Sequence, residues 1–283
     1  MSLAWTEHLI VLPVLLPLVA GALMAPLTEG RHRLQSAISY GAALGLLANA
    51  LALVALADGG WPDGIGVYFA ANWAAPFGIT LVADRLSALM LVLTALLALA
   101  ALYYAQPRWS RIGVHFHSLF QFMLMGINGA FLTHDIFNLF VFFELMLATS
   151  YGLVLHGYNA ARLRASMQYI AVNLAAALLF LIGIALIYAT TGTLNMADLA
   201  GKAGALAAPY IGLFKAGVAV LALAFLVKCA MWPLGFWLPT TYSVASPPVA
   251  VMLVLMTKVG AYVILRIWLL VFPNFMLLDA TGP

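Results

Sequence analysis

Glu144, Lys228 and Lys258 are the residues whose positions demand a chemical explanation, because each lies within a long apolar run where a charged side chain cannot simply reach for water. Glu144 stands in Phe142-Phe143-Glu144-Leu145-Met146, eight residues into its run. At a helical rise of 1.5 Å per residue it is roughly 12 Å deep. Lys258 lies nine residues beyond Val249, and Lys228 sits well inside the run that begins at Ile211. Since a bilayer core is about 30 Å thick, the spacing predicts that all three share a layer near the middle of a membrane.

A charge at that depth costs about 2.5 to 3.5 kcal/mol, so it must be paired, hydrated or neutralised. Burial disfavours the charged form of a carboxyl or an amine, which brings such groups towards the range where protons exchange. One glutamate and two lysines therefore suit a proton relay through water. The competing reading is a static ion pair that holds helices together. Two lysines against one carboxylate weaken it, and it implies that neutral isosteres would leave function intact.

Lys228-Cys229-Ala230-Met231-Trp232-Pro233 places a proline five residues after the second charge. Proline removes an intrahelical hydrogen bond and clashes with the preceding turn, so a helix break at Pro233 is expected beside the lysine. Broken helices in transporters line cavities where freed backbone groups find partners.

These residues need a helical membrane frame, and the composition supplies one. The chain has 283 residues, 65% hydrophobic and 7% charged, against about 25% charged in soluble domains. Apolar runs predict eight spans: Leu9 to Leu27, Leu34 to Ala57, Leu86 to Ala105, His117 to Thr133, Ile136 to Leu155, Met167 to Ala189, Ile211 to Pro239 and Val249 to Phe272. The first lacks a basic flank and cleavage site and is expected to remain as a helix. Arg31 and Arg33, Arg108 and Arg111, and Arg162 and Arg164 fall in alternate loops, which sets those loops in the cytoplasm and the N-terminus outside. The segment from Asp58 to Asp84, with Tyr68, Phe69, Trp73, Pro76 and Gly78, suits an interfacial hairpin.

The net charge of +3 is scattered over short loops, which argues against nucleic acid. Cys229 is the single cysteine, so no disulfide or cysteine cluster forms within the chain. His115 with His117, and His134 with Asp135, lack a third ligand nearby and read as interfacial polar residues, with no metal site. His156, Lys215 and Arg266 read as snorkelling side chains. Walker A, Rossmann and nucleophile-elbow patterns are absent from the sequence, which argues against an ATP-driven pump or a soluble-type enzyme within the chain.

Phe120-Gln121-Phe122, Gly126-Ile127-Asn128-Gly129-Ala130-Phe131 and the run from Asp135-Ile136-Phe137-Asn138 to Phe142-Phe143-Glu144 resemble the D-type subunits of Mrp-type cation/proton antiporters. So do Pro76-Phe77-Gly78-Ile79, Asp84-Arg85-Leu86-Ser87-Ala88, Ser246-Pro247-Pro248 and Met256-Thr257-Lys258-Val259-Gly260. The resemblance implies an all-α polytopic membrane protein of about eight helices, with Glu144 as the helix-five carboxylate, Lys228 on broken helix seven and Lys258 on helix eight, passing protons along a central axis. It implies a complex of several subunits in a bacterial inner membrane that exchanges Na+ or K+ for protons, driven by the proton-motive force and without a bound cofactor. One membrane domain is expected over 1–283, with three N-terminal helices (1–105) and a five-helix repeat (117–272). Family members carry a second inverted repeat, and the eight expected helices include only the first. The superfamily also includes proton-pumping subunits of NADH:quinone oxidoreductases and membrane-bound hydrogenases, the alternative function.

Overall fold

The computed structural model describes residues 4–27, 29–73, 78–106, 108–111, 115–157 and 160–271. Pro76 and Phe77 of the expected hairpin and Phe272 at the expected end of the eighth span lie outside the described residues. The helices are α1 (Ala4–Met24), α2 (His32–Ala55), α3 (Arg85–Ala105), α4 (Phe116–Leu132), α5 (Ile136–Leu155), α6 (Ala160–Thr191), α7 (Met196–Ala203), α8 (Ala208–Lys228), α9 (Trp237–Val244) and α10 (Pro247–Arg266). Among the described residues, seven helical stretches are long and apolar enough to cross a membrane, and α4 is a shorter apolar helix of 17 residues. Together they supply the eight spans that the apolar runs predict.

Nearly all of α4 is buried, and it packs against α1, α3, α5 and α10. Gly126 permits the contact with α5, since a Cβ there would lie 3.1 Å from both the Met146 backbone nitrogen and the Phe142 carbonyl. That close approach fixes the turn of α5 carrying Glu144. On the other side of α5, α6 packs along α8, the helix that carries Lys228.

The segment between α2 and α3 forms an antiparallel hairpin, β1 (Gly66–Phe69) with β2 (Thr80–Ala83), in the register Gly66 to Ala83 and Phe69 to Thr80. The turn between α4 and α5 is stitched to this hairpin and to α7: the His134 N–H donates to the Thr80 carbonyl of β2 and the Met196 N–H of α7 to the His134 carbonyl, both at 2.9 Å. Burial, aided by the nearby Arg266 charge, pulls His134 down to about 4. It is a neutral packing residue of this junction. Asp135 caps α5, accepting from the Asn138 N–H at 2.8 Å, and burial pushes its carboxyl up.

Four sequence expectations change. The expected seventh span is two helices, α8 and α9, separated by non-helical residues. A short helix, α7, fills what read as a plain loop. His156 is buried and its Nε2 lies 3.0 Å from the Trp109 carbonyl, so it does not snorkel. Arg266 is buried too, because an acid waits for it: Asp84, the N-cap of α3, accepts from both guanidinium nitrogens at 2.6 and 2.9 Å. Lys215 is half-buried in α8.

Candidate functional site

Lys228 is the last residue of α8 and is 2% exposed. The chain turns there through a Schellman motif, in which the Met231 N–H donates to the Leu226 carbonyl and the Ala230 N–H to the Val227 carbonyl, both at 3.0 Å. Ala230 occupies the left-handed position of that motif, with φ of 55°. The Trp237 indole, at the start of α9, donates to the same Val227 carbonyl at 3.1 Å. Pro233 lies within the non-helical stretch rather than at its start. Its ring excludes a helical partner for the carbonyl four residues earlier, that of Cys229, and α8 has ended by then. The break therefore presents the lysine itself at a helix end.

The Lys228 ammonium lies over the Phe143 ring, 5.0 Å from its centroid. Phe143, Phe180 and Phe225 pack against one another with centroid separations of 4.8 to 6.0 Å. This wall excludes lipid and water from one side of the amine and offers it only a cation–π contact. Among the described residues, no hydrogen bond reaches Lys228 Nζ. Glu144, the next residue after Phe143, is half-buried in α5 and interacts electrostatically with Lys228, while its Oε1 is buried with no hydrogen-bond partner among the described residues. The structure thus brings these two expected site residues together without a direct ion pair between them.

Gly260 of α10 abuts the break, where a Cβ would sit 3.0 Å from the Cys229 backbone nitrogen. Lys258, two residues earlier, interacts electrostatically with the Cys229 thiol. It does not join the buried pair as the sequence led us to expect. Val254, Lys258, Ala261 and Leu265 form the exposed stripe of α10, at helical spacings of four, three and four, whereas the opposite face is buried. Helical phase sends Lys258 outward from the described residues.

Sequence reasoning missed a set of hydroxyls beside Glu144. Tyr151 interacts electrostatically with the Glu144 carboxylate and packs on Tyr169 at 5.4 Å between centroids. The Tyr169 hydroxyl lies 2.7 Å from Ser150 Oγ and donates to Met256 Sδ of α10 at 3.4 Å. Tyr169 and Ser150 are fully buried. Their one legible signal is the polar run Thr149-Ser150-Tyr151 beyond Glu144 in a mostly apolar helix. His117, half of the discounted histidine pair, has its Nδ1 3.0 Å from Ser39 Oγ.

A buried amine, a nearby carboxylate and flanking hydroxyls at a helix break can hold and move protons. Known proteins are similar to this chain in sequence and fold. Over 270 residues the chain is 56% identical to a protein of Rhizobium meliloti named as the D subunit of a probable K+/H+ antiporter, covering 95% of this chain and 50% of that protein. It is 41% identical over 271 residues to the D subunit of a Na+/H+ antiporter of Alkalihalophilus pseudofirmus, covering 94% of this chain and 53% of the relative. A chain in the structure of the Mrp complex from a Dietzia species superposes with a TM-score of 0.85 at 35% identity, over 97% of this chain and 50% of that one. The chain thus spans about half the length of the curated relatives it matches. Residues 133–279, which include Glu144, Lys228 and Lys258, match the model of the NADH:quinone oxidoreductase/Mrp antiporter transmembrane family, and the chain belongs to that family.

Proposed function

We propose that this chain forms part of the D-type subunit of a multisubunit monovalent cation/proton antiporter in a bacterial inner membrane, and that it carries protons in exchange for Na+ or K+. The observation that carries this reading is Lys228: a fully buried amine at a helix break, without a hydrogen-bond partner among the described residues and held near the Glu144 carboxylate. In this reading Glu144 and Lys228 exchange a proton with the help of Tyr151, Ser150 and Tyr169. Lys258 takes it onward, its exposed stripe on α10 facing the second repeat that the longer relatives would supply. Residues 1–105 act as a supporting unit and 117–272 as the proton-carrying repeat, with the N-terminus periplasmic by the placement of Arg31, Arg33, Arg108, Arg111, Arg162 and Arg164. The subunit is a secondary transporter rather than an enzyme and needs no cofactor.

The alternative, a proton-pumping subunit of an electron-transferring complex, shares the family and the buried charges. Similarity to the D subunits of antiporters favours the first reading. In everted vesicles containing the full native complex, the antiporter reading expects added Na+ or K+ to dissipate an imposed ΔpH with no electron donor present. Proton pumping that requires NADH or another donor, with no cation response, would replace it with the alternative.

A further inference from the structure

At one interfacial end of the helix bundle, away from Lys228, a cavity of about 440 Å³ opens between the first turns of α2 and the end of α3. It is lined by His32, Arg33, Ser36, Tyr40, Gln106 and Ser110. Arg33 is exposed, as is Arg31 beside it. Arg108 follows α3 and stacks on Trp109, with its guanidinium carbon 5.2 Å from the ring centroid. Among the described residues, no acid lines the cavity. Two polar atoms of its lining residues, His32 Nδ1 and Tyr40 Oη, are buried with no hydrogen-bond partner among the described residues. The N-terminus of α2 adds the positive end of its dipole to this field, with no side-chain cap from Arg31.

We propose that this cavity binds a phosphate group, as carried by an anionic phospholipid headgroup or by free phosphate. Arg33 supplies charge, the Tyr40 hydroxyl and the Gln106 and Ser36 side chains supply hydrogen bonds, and the α2 N-terminus supplies its dipole. The headgroup is the source the surroundings favour. Tyr103 and Tyr104 stand exposed at the end of α3, at 75% and 58%, as aromatic residues do at the headgroup level. Beneath them Leu44 and Leu51 of α2 and Leu89, Leu93 and Leu96 of α3 are exposed, an apolar surface on which acyl chains can lie. Basic pockets between membrane helices recognise anionic headgroups in this way.

The test uses the assembled complex reconstituted with a photoreactive phosphatidylglycerol, followed by mapping of labelled peptides. Labelling of the segments around residues 32–40 and 103–110 is expected, about fivefold weaker in Arg33→Gln, restored in Arg33→Lys and unchanged in Arg164→Gln. Competition by excess inorganic phosphate would assign the site to free phosphate; resistance to it assigns the site to the lipid headgroup. If those peptides stay unlabelled in the native complex, or if Arg33→Gln and a photoreactive phosphatidylcholine label them equally well, the site is wrong.

Discussion

Asn128 of α4 donates its side-chain amide to the Pro13 carbonyl of α1 at 3.0 Å, and that carbonyl is the one Pro17 leaves without its helical partner. The same device occurs one turn earlier. Pro13 frees the Leu9 carbonyl, and Asn49 of α2 donates to it at 3.2 Å. Two prolines inside a membrane helix are thus matched by two asparagines on its neighbours, which fixes the rotation of α1 against α2 and α4. Backbone groups freed within a bilayer need such partners.

Asn128→Leu should therefore destabilise the protein by about 1–3 kcal/mol, the cost of an unsatisfied buried carbonyl. Pro17→Ala restores the missing N–H, so the double variant should lose less than the sum of the two single variants. Thermal unfolding of the purified complex in detergent, read as a double-mutant cycle, checks this; strict additivity would dissolve the link between Asn128 and Pro17.

The Arg266–Asp84 pair ties α10 to the start of α3, and Arg266 Nε also donates to the Tyr262 hydroxyl at 3.0 Å. Arg266→Gln should cost about 3 kcal/mol, since it strands a largely buried carboxylate. Burial alone would push Asp84 up, but hydrogen bonds from Arg266 and from the Ser87 N–H outweigh it and hold the carboxyl at about 2, below its ordinary 3.8. Because the folded value is the lower, the unfolded chain binds more protons in that window. The stabilisation is complete above the ordinary value and is lost as pH falls towards 2. Acid titration of unfolding should show this drop in the native protein and its absence in Asp84→Asn.

Ala230 pays the steric cost of a left-handed backbone at the end of α8. Ala230→Gly should stabilise the break by about 1 kcal/mol, and Ala230→Val should destabilise it by more. Melting temperatures in detergent give the sign directly; equal melting of all three proteins would remove the Schellman geometry from the explanation of the break.

Lys228→Met keeps the length of the side chain and removes a charge that no hydrogen bond from the described residues holds. Lys228→Met alone leaves the half-buried Glu144 carboxylate without its neighbouring charge, so the informative variant is Lys228→Met combined with Glu144→Gln, whose expected effect on stability is neutral or favourable, by up to about 4 kcal/mol. A lower melting temperature of the double variant in the assembled complex would mean that the two charges serve as a structural tie.

The eight spans were legible because a run of about 20 apolar residues has few other uses, and Glu144 and Lys228 were legible because charge inside such a run is rare. What the sequence hid was direction and partnership. Arg266 lies near the end of its run, where snorkelling is the simple expectation, and its partner Asp84 is 182 positions away. Lys258 sits as deep in its run as the other charges, but helical phase turns it onto the exposed stripe of α10. Pro233 announced the break, though the chain turns earlier, at Lys228, where a capping motif rather than the proline ends the helix. The short helix α7 went unread because Asn195, which caps it by accepting from the Ala197 and Asp198 N–H groups, looks the same in sequence as a turn residue.

Whether Glu144 and Lys228 carry protons is decided in everted vesicles holding the full complex, with Glu144→Gln and Lys228→Met compared with the native protein at matched assembly. Na+ or K+ should collapse a respiration-generated ΔpH in native vesicles and leave it standing in both variants. Unchanged cation-driven collapse in either fully assembled variant would contradict proton carriage and make that residue a structural one.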